Sequence, residues 1–139
     1  MQFPVSNSEY FFSFFFFFFC HLGNPQCAIY CLDAGSRVNH KDRINDTPLH
    51  HLFKAHGRFF LDDENDYRVR TQTDVKLSLE KLVSFTDVLL QYGANPYQRN
   101  DEGETGYSLA STMQNKEILE LIEMAASKKQ SFEIYLLKK

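Results

Sequence analysis

The chain has 139 residues, room for one domain. Its net charge of −3 and pI near 5.9 give no basis for a nucleic-acid partner. Cys20, Cys27 and Cys31 are odd in number and bunched, so they make no disulfide framework; they read as small packing residues of a reducing compartment, cytoplasmic or nuclear. A mean hydropathy of −0.39 is that of a chain soluble in character.

Residues 1–9 are polar and carry no pattern. Tyr10 to Phe19 reads YFFSFFFFFF, a low-complexity aromatic run. The apolar stretch ends by Leu22, too short for a bilayer-spanning helix. Only Glu9 stands where a secretory signal would need basic residues. From Pro25 to Leu32, the residues Cys27, Ala28, Cys31 and Leu32 recur at helical spacing. Gly35 follows, where such a helix would stop.

Gly35 to Leu52, GSRVNHKDRINDTPLHHL, carries the most information. Thr47-Pro48 reads as a helix start: a hydroxyl to cap an orphan N–H, then a residue whose φ is preset. Leu49 and Leu52, three apart, share a face. Asn39 to Asp46 is polar and turn-rich. Gly35, Val38, Asn39, Asp42, Thr47, Pro48, Leu49 and His50 fall without a gap on G-x-x-V-N-x-x-D-x-x-G-x-T-P-L-H. Asn45 stands at the one remaining glycine position, and asparagine also tolerates a left-handed turn. Gly93 opens a second copy, GANPYQRNDEGETGYSLA, in which Gly93, Ala94, Gly103, Thr105, Leu109 and Ala110 hold the pattern. At these residues the chain resembles the ankyrin-repeat family, over roughly Cys20 to Ala126.

The resemblance implies an all-α fold, a short ankyrin-type α-solenoid of stacked helix pairs with hairpin loops. The family's spacing, counted back from Gly35, sets Phe14 to Phe19 at the place of a first helix, and CHLGNPQCAIYCLDAG resumes the pattern at Cys20. Residues 1–19 are therefore expected to lie outside the fold, as an alternative or mis-assigned start with more repeats upstream. The competing expectation is a hydrophobic cap packed on the next helix pair. The helix from Thr47 should end near Gly57. The next matching glycine is Gly93, about 25 residues later than the family's spacing, so an insertion is read over roughly 58–83. It holds Phe59, Phe60 and Leu61, the acidic run Asp62 to Asp66, and Arg68 and Arg70. Leu79, Leu82, Phe85 and Leu89 suit one face of a second helix, expected from near Val75 to Tyr92.

In the last repeat Thr105 keeps the cap, but Gly106, Tyr107 and Ser108 replace Pro, Leu and His. Ile118, Leu121, Ile122 and Ala125 mark the closing helix. Ala126 stands where another repeat would need glycine, so the array is expected to end there. Residues 127–139 form a C-terminal tail whose Phe132 to Leu137 stretch either folds back or extends the helix.

No motif in the sequence specifies a catalytic group, a phosphate loop or a cofactor. Cys20, His21, Cys27 and Cys31 match no common zinc spacing, and the adjacent His50 and His51 diverge on a helix. What the resemblance implies is partner binding through the hairpin tips. On the first hairpin these are Ser36, Arg37, His40, Lys41, Arg43 and Asp46. On the second they are Asn95, Tyr97, Gln98, Arg99, Asn100, Glu102 and Glu104. Arginine and tyrosine are the types enriched in interface hot spots. The family's V-N pair also makes Asn39 a candidate for β-hydroxylation. The expected function is that of a non-catalytic protein-interaction scaffold, without cofactor or small-molecule substrate. Two alternatives are a regulatory segment of a larger enzyme or channel, and a peptide attached to membrane through the Phe run.

Overall fold

All regular structure among the described residues is helical. The computed structural model describes residues 4–56 and 77–138, with side chains from Ser13 onward. Among these residues six helices follow in order: α1 (Pro4–Leu22), α2 (Pro25–Asp33), α3 (Pro48–His56), α4 (Leu79–Gln91), α5 (Gly106–Thr112) and α6 (Lys116–Leu137).

Short-range chemistry starts and stops these helices. The Asn24 side chain accepts from the Cys27 N–H, with Pro25 in the first turn. Asn115 caps α6 the same way through Ile118. Thr105 and Ser108 exchange bonds in a capping box at the start of α5. After α2 and α4 the chain turns through Gly35 (φ 106°) and Gly93 (φ 95°), a left-handed region that costs other residues more.

Packing arranges the helices in two rows. α1, α3 and α5 lie side by side in one, and α2 and α4, then α4 and α6, in the other. Successive pairs are joined across the rows, α1 with α2, α3 with α4, α5 with α6. The core runs between the rows. Phe16, Leu49, Leu52, Leu82, Phe85, Leu89, Ile118 and Ile122 are fully buried in it. Each such side chain contributes about 1.5–3 kcal/mol on leaving water. Gly106 lets α5 approach α3: a Cβ there would stand 2.8 Å from Leu49 Cδ2.

Two sequence expectations are revised. The Phe run, set outside the fold by the spacing argument, lies in α1 and supplies it with a buried face. Phe16 and Cys20 are fully buried against the bundle, and Phe15 and Phe19 are half-buried. A helix over α2 and α3 must fill the hollow between them, and the aromatic run does so. It therefore cannot be a free membrane peptide along its whole surface, and no described helix is long and apolar enough to cross a bilayer.

Helix α4 begins at Leu79, not near Val75. Ser78 accepts from the Lys81 N–H and marks the boundary, while Leu77 is buried. Residues 79–83 thus belong to α4 and not to the insertion. The acidic run Asp62 to Asp66, with Phe59 to Leu61 and Arg68 and Arg70, lies outside the described residues.

Of the two courses expected for the tail, the structure shows the extended helix. With alanine at 126 nothing breaks the helix, and α6 runs on to Leu137 with every residue from 127 to 137 exposed.

Candidate functional site

The two loops between helices repeat each other bond for bond at a spacing of 58 residues. In the first, the Asp42 side chain accepts from the N–H groups of Ile44 and Asp46. In the second, Asn100 accepts from Glu102 and Glu104. Asp42 N–H donates to the Asp46 carbonyl, and Asn100 N–H to that of Glu104, both at 3.0 Å. Asn45 (φ 61°) and Gly103 (φ 78°) make the same left-handed turn.

The loops are also joined to each other. Asn39 donates to the Gly93 carbonyl at 3.0 Å and accepts from the Asn95 N–H at 2.7 Å. Asn45 donates to Asp101, and Asp101 N–H donates to the Ile44 carbonyl. Asn100 donates to Asp46 at 2.7 Å. Lys54 pairs with both Asp46 (2.9 Å) and Glu104 (3.4 Å), so one ammonium serves equivalent acids of two loops. Burial alone would lower the Lys54 pKa, but these acids raise it. The Asn100 side chain and Lys54 together outweigh burial at Glu104 and lower its pKa.

His50 completes the join. Its Nε2 lies 2.8 Å from the Glu104 carbonyl, which can only accept, so Nε2 carries the proton. Nδ1 is then bare and accepts the Thr47 N–H at 3.0 Å, with the Thr47 hydroxyl at 2.8 Å. His50 is a structural group with both nitrogens in use.

Of the residues expected on the binding face, Arg37, Lys41, Arg43, Tyr97, Arg99 and Glu102 are exposed along the rim of the paired loops. The first loop offers mainly positive charge, the second mixed charge. Gln98 is half-buried, and so is His40, whose ring meets Phe17 at 5.9 Å. Tyr97 leans on Tyr107 with ring centroids 5.9 Å apart. Asp46, expected on this face, lies beneath it. At 2 % exposure, with Lys54 and Asn100 on its oxygens, it holds the loops together and faces no partner. Ser36 and Asn100 are likewise buried. Asn39 is exposed, but its amide is committed to Gly93 and Asn95.

The sequence reading missed the Lys54–Asp46–Glu104–Asn100 network. The signal was there: Asp46 and Glu104 are 58 apart, like Thr47 and Thr105, so like charges recur in neighbouring loops and call for a cation between them.

One set of ligating atoms converges among the described residues, Asp42, Asp46 and His51. Its atoms already have partners. His51 Nε2 bonds Asp42 at 2.7 Å, and Asp46 is taken by Lys54 and Asn100. The arrangement is a loop brace, with an ammonium where a cation would otherwise add charge. Cys20, His21, Cys27 and Cys31 do not converge as ligands. All three thiols are free, and burial, with Cys31 nearby, raises the Cys20 pKa.

No family model matches the chain, and the search of curated proteins finds no match.

Proposed function

We propose that the chain is a short ankyrin-type α-solenoid that binds other proteins through the rim of its paired loops and catalyses no reaction. The observation that carries this reading is the repetition of loop bonds at 58 residues, joined by His50 to Glu104 and by Asn39 to Gly93. Rigid loops on a stacked frame present side chains at fixed spacing with little ordering cost on binding. Arg37, Lys41, Arg43, Tyr97 and Arg99 are the side chains so presented. Partner proteins with an acidic, partly aromatic surface suit them, and neither cofactor nor small-molecule substrate is needed. The free thiols fit a reducing compartment, and the cytoplasm or nucleus is the one we propose.

The test is quantitative capture. The full chain is immobilised beside an Arg37→Ala/Tyr97→Ala variant and a control altered at Ser111 and Glu120. A partner retained by the wild type and control but lost by the rim variant supports the reading. A partner retained equally by all three locates binding elsewhere and refutes it.

A further inference from the structure

The end of α6 overhangs the bundle. Residues 127–137 are all exposed, among them Phe132, Ile134, Tyr135, Leu136 and Leu137, the last at 85 %. Large apolar side chains gathered on one exposed segment signal an interaction. The charge of the segment is as distinctive. Residues 127–139 hold four lysines against the single acid Glu133, a net +3 in a chain of −3, so residues 1–126 carry −6.

The helix also sorts these groups by face. A groove of about 510 Å³ separates α6 from the 93–97 turn, and Ala126, Lys129, Gln130 and Glu133 line its helix side. Those residues mark the side of α6 toward the bundle. Glu133 is among them, so the one acid is turned inward. Lys128, Phe132 and Tyr135, spaced i, i+4 and i+7, share another face, and Ser131, Tyr135 and Lys138 continue it. Lys128 and Lys138 therefore share a face with Phe132 and Tyr135, turned away from an acidic body, while Lys129 lies beside Glu133 on the groove side.

We propose that this overhang is a membrane-surface helix that lies in the headgroup region of a bilayer rich in anionic lipid. An anionic occupant follows from the charge. A lipid surface is favoured over an acidic protein because apolar side chains surround the end of the helix and do not form one ridge. A protein groove would cover one side, whereas Ile134 and Leu137 lie off the Phe132–Leu136 face. At the headgroup boundary the apolar groups are accommodated around the helix while lysine stems reach back to the phosphates. No spanning length is required, in keeping with the absence of a spanning helix among the described residues. The net −6 of residues 1–126 opposes approach of the body as a whole to an anionic surface.

Flotation of the full chain with vesicles tests this. With one-third phosphatidylserine at about 0.1 M salt, the chain floats; with phosphatidylcholine alone it does not, and about 0.5 M salt releases it. Lys128→Gln/Lys129→Gln/Lys138→Gln weakens binding about 100-fold, at roughly fivefold per lysine. Phe132→Ser/Leu136→Ser also weakens it, with an unchanged far-UV spectrum because both side chains are exposed. Phe14→Ser/Phe18→Ser, at the far end of the bundle, leaves it intact. Equal flotation on both vesicles, no flotation at all, or loss in the Phe14/Phe18 variant alone overturns the proposal. Retention on a polyglutamate matrix without vesicle binding assigns the overhang to an acidic protein surface instead, and also overturns it.

Discussion

His50 Nε2 donates to the carbonyl of Glu104 across 2.8 Å, although 54 residues separate them. The same ring accepts the Thr47 N–H, so one imidazole closes a helix start and ties it to the next loop. His50→Ala should strand a buried donor and a carbonyl together, at about 1–3 kcal/mol each. We expect a fall of about 3 kcal/mol in urea unfolding at an unchanged slope. The equivalent residue Ser108 is exposed, so Ser108→Ala should cost only a cap, about 1 kcal/mol. Equal costs for the two would show that His50 does not join the loops.

Phe14 and Phe16 stand two apart in one run and differ completely in environment. Phe16 is fully buried and Phe14 is 68 % exposed. Phe16→Ala should destabilise by about 3–5 kcal/mol through the lost burial and the cavity left behind. Phe14→Ala should change stability by less than about 0.5 kcal/mol. Thermal or denaturant unfolding of the two variants decides whether α1 belongs to the cooperative unit; similar small effects in both would place it outside.

Asp42 and Asn100 do the same work in equivalent loops, each accepting two backbone N–H groups. Asp42→Asn should therefore keep the turn and lose only the contact to His51, at less than about 1 kcal/mol. Asp42→Ala loses the backbone bonds as well, for about 2 kcal/mol. Burial works against the Asp42 carboxylate, but His51 and the amides of Asp46 and Ile44 outweigh it and lower its pKa. Its contribution is thus present above the ordinary value of 3.8 and lost as pH falls through the lower, folded value. Stability measured from pH 5 down to pH 2 should fall less steeply in Asp42→Asn than in the wild type.

His56 gives a second pH dependence, nearer neutrality. It is buried, donates from Nε2 to the His21 carbonyl at 2.8 Å, and leaves Nδ1 without a partner. Protonating Nδ1 would bury a charge with no acceptor, and burial lowers its pKa below 6.5. Below 6.5 the unfolded chain takes up a proton that the folded chain resists. Stability from this group is therefore complete above about pH 6.5 and declines as pH drops toward the folded value. Urea midpoints between pH 7.5 and 5.5 should fall in the wild type and fall less in His56→Gln; parallel curves would exclude His56 as the cause.

The amino-acid sequence by itself specified the helix starts at Pro48 and Gly106, the stops at Gly35 and Gly93, and the common register of the two loops. Those features depend on hydrogen bonds between residues a few positions apart, so a short window holds the cause and its effect. Only the tertiary structure decided that Phe16 is core while Phe14 is surface, and that Asp46 is a buried tie rather than a contact for partners. It also decided that α6 carries Phe132 and Leu136 out past the bundle. In each case the outcome depends on what stands opposite, on another helix or on nothing, and a side chain's own identity does not contain its neighbour.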